Sequence, residues 1–149
     1  MQKSYLALGC FWKPEETFRQ ISGILETEVG YAGGENNVTN YEEVCTGKTG
    51  HTETIKLTFD EKIISYEKIL EVFFKIHDPT QKDMQYPDVG TQYRSEIFYE
   101  NENQKKIAEK YKKIFNEQFN GKIETNISEI KNYCKAEEYH QKYIMKRNQ

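Results

Sequence analysis

No apolar run in the chain comes near the roughly 18 residues of a membrane-crossing helix, so no span of the bilayer is expected. The first apolar stretch, Tyr5–Leu8, is short and leads straight into Pro14 and charged residues, which is unlike a secretory leader. Charge of neither sign dominates. The net charge of −3 gives no electrostatic pull toward nucleic acid or an anionic membrane, and neither is an expected partner. The only cysteines, Cys10, Cys45 and Cys134, are too few and too scattered for a disulfide framework, so a reducing, cytoplasmic setting is expected. P-loop, GxGxxG, C-x-x-C and H-x-x-x-H patterns are all missing; Cys45 with His51 is the nearest approach to a metal-ligand pair, and a weak one. Without linkers, repeats or low-complexity tracts, residues 1–149 read as a single domain large enough for a genuine core.

What the chain does contain is aromatic residues, 13% of the total, and clear periodicities that suit a globular core. Tyr5–Leu8 reads as a strand, followed after Cys10 by a helix to about Ile21. Leu25, Thr27, Val29 and Tyr31 alternate with Glu26 and Glu28 as a half-buried strand ending at Gly33-Gly34, and Thr52–Phe59 is the next strand. Ser65 opens a helix with Tyr66, Ile69, Leu70, Phe73 and His77 on its inner face, and Asp78-Pro79 stops it. Tyr93–Tyr99 alternates as a further strand. Asn101 with Gln104 resembles a capping box for a last long helix with Ile107, Tyr111, Ile114 and Phe115 inward. The expected class is α+β, a two-layer sandwich with a ferredoxin-like βαββαβ core, a C-terminal helix and an irregular wrapping tail. A short helix is expected in that tail near Ala136–Tyr143.

Chemistry concentrates first at Cys10. Gly9 permits a sharp turn between strand and helix, and a thiol there faces the free N–H groups and positive end of the helix, which favour its thiolate. Phe11 and Trp12 offer an apolar wall beside it. Glu53 shares the period-two phase of Ile55, Leu57 and Phe59, which puts its carboxyl on the buried face, biased toward its protonated, proton-donating form. The alternative is a strand that starts late and leaves Glu53 exposed at its edge. Tyr93 falls in phase with Ser95, Ile97 and Tyr99, and together with Tyr41 can hydrogen-bond a polar oxygen beside Glu53. Asp88 lies in a Pro-Asp-x-Gly turn. Two other chemistries remain open on these residues: a Cys–His hydrolase using His51 or His140 as base, and a binding module in which Cys10 is structural.

These residues and their neighbours resemble peptide methionine sulfoxide reductase A along nearly the whole chain. The resemblance is carried by Gly9-Cys10-Phe11-Trp12, Gly30-Tyr31-Ala32-Gly33-Gly34, Tyr41-Glu42-Glu43-Val44-Cys45-Thr46-Gly47 and Thr49-Gly50-His51-Thr52-Glu53. It continues through His77-Asp78-Pro79-Thr80, Asp88-Val89-Gly90-Thr91-Gln92-Tyr93-Arg94-Ser95 and Ala136-Glu137-x-Tyr139-His140-Gln141. It implies that Cys10 attacks the sulfoxide sulfur of methionine S-sulfoxide, free or in peptides. Glu53 would protonate the oxygen, Tyr41 and Tyr93 would hydrogen-bond it, Phe11 and Trp12 would hold the methyl group, and Asp88 would help organise the site. It further implies a sulfenic acid on Cys10, a second thiol that condenses with it, thioredoxin or another thiol as reductant, and no cofactor.

The chain departs from the family pattern at three places. No cysteine follows Cys134, whereas many members carry recycling cysteines in a C-terminal tail. Cys134 is the candidate resolving thiol, Cys45 the backup, and direct attack by an external thiol the third route. Lys13-Pro14 replaces small residues, and Met84-Gln85-Tyr86 replaces the commoner Arg-Gln-Gly, which sets Tyr86 at the rim.

Overall fold

In the computed structural model, which describes residues 1–148, alternating hydrophobicity becomes one six-stranded sheet with helices on one face. In chain order the elements are β1 (Gln2–Leu8), α1 (Trp12–Arg19), β2 (Ile24–Ala32), α2 (Tyr41–Cys45), β3 (Thr52–Phe59) and α3 (Tyr66–Lys75). They continue with β4 (Met84–Gln85), β5 (Asp88–Val89), β6 (Ser95–Tyr99), α4 (Glu102–Gln118), β7 (Asn126–Glu129), β8 (Cys134–Lys135) and α5 (Tyr143–Arg147). Single 3₁₀ turns lie at Thr91–Tyr93 and Glu138–His140. The sheet order is β7-β6-β1-β3-β2-β8, antiparallel throughout except for the parallel β6–β7 pair, and β4–β5 form a separate ribbon. The fold is α+β.

The period-two pattern sorts the two faces. Leu6, Leu8, Ile55, Leu57, Phe59 and Ile97 project toward Phe18 of α1, Leu70 and Phe73 of α3, and Phe115 of α4. Tyr5, Ala7, Ala32 and Phe98 line the opposite face, where Ile130 and Tyr133 of the tail cover them. Capping sets the helix starts: the Ser65 hydroxyl accepts the Lys68 N–H at 3.1 Å, and the Asn101 side-chain Oδ1 accepts that of Gln104 at 2.9 Å. The side-chain oxygen of Gln104 returns to the N–H of Glu100 rather than Asn101, and its amide N–H reaches the Lys3 carbonyl, fastening α4 to β1.

Several sequence expectations shift. Leu25 is exposed because a bulge between Ile24 and Glu26 turns it out of the alternation. Ile114 also faces solvent; the inner stripe of α4 runs through Gln104, Ala108 and Phe115. Tyr93 ends a 3₁₀ turn, and the strand begins only at Ser95, so Tyr93 owes its position to the turn and not to strand phase. The tail is more regular than expected: β7 and β8 extend the sheet at both edges, and the short helix comes later, as α5.

Candidate active site

The chain leaves β1 through Gly9, whose φ of +95° suits glycine, and whose missing Cβ makes room for Gln85: a Cβ there would lie 2.8 Å from the Gln85 side chain. Cys10 follows, half-buried, at the entrance to α1. Phe11 caps that helix without a side-chain bond, and its backbone N–H donates instead to Oε1 of Glu53 at 3.2 Å. Glu53 is 2% exposed, on β3 opposite Tyr31 of β2. Burial pushes its carboxyl up to about 8; the Phe11 N–H counteracts this and the negative charge of Asp88 adds to it. No Lys or Arg among the described residues pairs with it. At neutral pH the group is mostly a carboxylic acid.

The Cys10 thiol differs from expectation. The Trp12 N–H does pull its pKa down, as a helix start should, but burial outweighs this, and with Glu53 and Asp88 adding negative charge the thiol is pushed up to about 12. The resting group is a thiol, because desolvation of a sulfur anion costs more than one backbone donor returns.

Tyr41 opens α2, placed by the Asn40 cap, whose side-chain oxygen accepts the Glu43 N–H at 2.9 Å. The neighbouring Cys45 sulfur, together with burial, pushes the Tyr41 hydroxyl up to about 12. Tyr93 is raised by burial and by the charge of Glu53, and Tyr41 also raises it. Both phenols therefore remain O–H donors at neutral pH. Phe11 is buried between Tyr31 and His140, with ring centroids at 5.8 and 5.2 Å. Trp12 donates its indole N–H to Nδ1 of His140 at 3.0 Å and stacks on Tyr143 at 3.8 Å. Asp88 sits on β5, paired with Gln85, and lines a groove of about 480 Å³ that also contains Cys10, Lys13, Pro14 and His77.

Among the described residues no histidine is hydrogen-bonded to the Cys10 thiol, the contact a Cys–His hydrolase needs. His51 is bound to the Asn36 carbonyl and His140 to Trp12. His77 lines the groove, but its two nitrogens meet the Phe73 carbonyl at 2.6 Å and the Ser95 hydroxyl at 2.8 Å. Among the described residues no group of three or more His, Cys, Asp or Glu is arranged to hold a metal ion. A half-buried thiol, a neutral buried acid and two phenols therefore surround one site walled by aromatic rings.

A family model described as peptide methionine sulfoxide reductase matches residues 2–149. The chain belongs to that family. The peptide methionine sulfoxide reductase MsrA of Pelagibacter ubique is 56% identical over 147 residues, covering 99% of this chain and 100% of that protein. The MsrA of Methanosarcina acetivorans is 48% identical over 149 residues, covering 99% and 79%. Among solved structures, reduced Mxr1 from Saccharomyces cerevisiae matches with a TM-score of 0.94 at 38% identity, covering 99% of this chain and 86% of that one. Mxr1 in complex with Trx2 matches at 0.69 and 27% identity, covering 95% and 84%. The activity is that of a peptide-methionine (S)-S-oxide reductase. No helix in the described residues is long and apolar enough to cross a membrane.

In this reductase the tail does more than wrap. Glu137 accepts the Tyr31 hydroxyl at 2.8 Å and the Tyr41 N–H at 3.0 Å, joining β2 to the start of α2. Gln141 bonds both the N–H and the carbonyl of Val29, at 2.9 and 2.8 Å. Sequence reasoning gave Glu137 and Gln141 no role, although residues 137, 140 and 141 carry polar side chains at i, i+3, i+4 spacing. All three cysteines are free. Cys45 is exposed at the end of α2; Cys134, on the edge strand β8, has its thiol 3.5 Å from the Thr39 carbonyl.

Proposed function

We propose that the reductase works through a sulfenic acid on Cys10, with Glu53 as proton donor. A methionine S-sulfoxide, free or within a protein, places its methyl group against Phe11 and Trp12 and its oxygen toward Glu53, Tyr41 and Tyr93. Glu53 protonates the oxygen as the Cys10 sulfur attacks the sulfoxide sulfur, and the thiol proton replaces the one Glu53 gave up. The sulfur–sulfur bond so formed breaks as the oxygen passes from the methionine sulfur to Cys10, and methionine leaves. The Cys10 sulfur loses two electrons and the methionine sulfur gains them. The observation that supports this most is Glu53 itself, an almost fully buried acid held neutral at pH 7 and bonded to the backbone next to the thiol. Asp88, charged beside both groups, helps keep that proton on Glu53.

A thiol then condenses with the sulfenic acid, and an external dithiol restores Cys10. Thioredoxin fits that role, as the complex of Mxr1 with Trx2 suggests by likeness. Cys134 is the internal candidate, yet the last residue of β1 and Cys134 are separated by the three strand steps β1-β3-β2-β8, roughly 14 Å. Cys134 serves only if β8, two residues long, comes away from β2. Cys45, exposed at the end of α2, is the second candidate. We also read the antiparallel order β6-β1-β3-β2 as the ferredoxin-like core, and a reducing, cytoplasmic setting as the place where such a thiol cycle runs. Turnover of the two methionine sulfoxide epimers with excess dithiothreitol, wild type beside Cys10→Ser, tests the reading. The S epimer alone should be reduced, and the variant should be inactive.

A further inference from the structure

Cys10 lies between two differently built spaces. On one side are the rings of Phe11, Trp12 and Tyr41 gathered round His140, with Trp12 stacked on Tyr143. On the other is the open groove of about 480 Å³ between the first turns of α1 and the β4–β5 ribbon. Because the groove contains Cys10 itself, a residue flanking a sulfoxide bound at the thiol can lie along it.

The charges lining that groove are unevenly placed. Asp88 lies near the thiol, close enough to act on both Cys10 and Glu53. Lys13 lies on the exposed surface of α1, and no carboxylate among the described residues is within 4.0 Å of its ammonium. The acids nearest in sequence are occupied: Glu15 accepts the Thr27 hydroxyl and the Lys142 N–H, both at 2.7 Å, and Glu16 pairs with Arg19 at 2.6 Å. Lys13 is therefore an uncompensated cation on the wall of the groove that contains the reacting sulfur.

We propose that this groove is a subsite for the residue flanking the sulfoxide in a peptide, and that Lys13 makes it favour an acidic one. Leu8, Pro14 and Ile76 supply apolar surface for the stem of that side chain, and the ammonium meets its carboxylate at the solvent end. Asp88 works against a carboxylate placed near the thiol, so the acid extends outward. A basic flank meets Lys13 as a like charge. Because the pair is solvent-exposed, the effect is modest, roughly threefold in kcat/KM for Glu over Gln, and salt weakens it.

This inference rests on the reductase reading, and the experiment separates the two. Wild type and Lys13→Glu are assayed with short peptides containing one methionine S-sulfoxide, flanked on either side by Glu, Gln or Lys, at low and high ionic strength. The expected result is an order Glu, Gln, Lys in wild type for one flank, reversed in Lys13→Glu and compressed by salt. Equal rates for all peptides, or a Lys preference in wild type, would overturn the subsite assignment while leaving the reductase intact. Failure to reduce any peptide, or the free S-sulfoxide, would instead overturn the reductase reading beneath it.

Discussion

The backbone N–H of Phe11 and Oε1 of Glu53 meet at 3.2 Å, joining positions 42 residues apart. This bond satisfies a donor at the start of α1 and holds the carboxyl beside the turn that carries Cys10. It leaves the other carboxyl oxygen for a substrate. The turn and the acid are thus positioned as one unit, and several measurable consequences follow from their mutual burial.

Glu53→Gln keeps a hydrogen-bond acceptor for Phe11 but removes the transferable proton. Reduction of methionine S-sulfoxide should slow by about 10²–10⁴ in kcat/KM, with the circular dichroism spectrum unchanged. A loss of less than threefold would remove Glu53 from the chemistry.

The same replacement should stabilise the fold. The Glu53 carboxyl rises from an ordinary 4.5 to about 8, so between those values the folded state binds a proton that the unfolded chain has released, and stability falls as pH rises through that window. Below 4.5 the difference between variant and wild type should vanish. At pH 7 Glu53→Gln should gain up to about 3 kcal/mol, measured by urea unfolding.

Wild-type activity should depend on that proton as well. The rate of the reductive half-reaction should be level below about pH 8 and fall above it, since the donor is lost there while the thiol, pushed up to about 12, is still protonated. A rate rising through pH 8 would mean that the thiolate, and not the pair of protonated groups, is the reacting form.

Gln85 should act as a positioning residue. Its amide bonds the Asp78 carbonyl at 2.5 Å and the Asp78 N–H at 3.1 Å, its stem covers Gly9, and its backbone pairs with Asp88. Gln85→Ala should lower kcat by about tenfold and shift the upper limb of the pH profile, with Gln85→Glu failing to restore either. Unchanged kcat and profile would reduce Gln85 to a purely structural contact.

The strands and helices that frame the site were legible because each buries one face. Ile55, Leu57 and Phe59 alternate with Lys56 and Thr58, so the strand followed from period two. Phase alone left Glu53 either buried or exposed at a late-starting strand's edge, and it is buried. Features set by backbone irregularity were not legible. Leu25 turned outward at a bulge, and Tyr93 reached the site from a 3₁₀ turn, neither of which leaves a periodic signal. The Cys10 thiol was misjudged because helix-end electrostatics can be read from local sequence, whereas desolvation depends on the packing of distant segments. For the same reason Glu137 went unassigned: its two partners lie about a hundred residues away.

The most direct test of the account is to trap the intermediate. A Cys45→Ser/Cys134→Ser variant is mixed with one equivalent of methionine S-sulfoxide, without reductant but with a sulfenic-acid-specific probe, and the peptide containing Cys10 is analysed by mass spectrometry. The account requires near-stoichiometric probe on Cys10, one methionine released per chain, and strong suppression of both when Glu53→Gln is added. Methionine formed without any modification of Cys10 would contradict it.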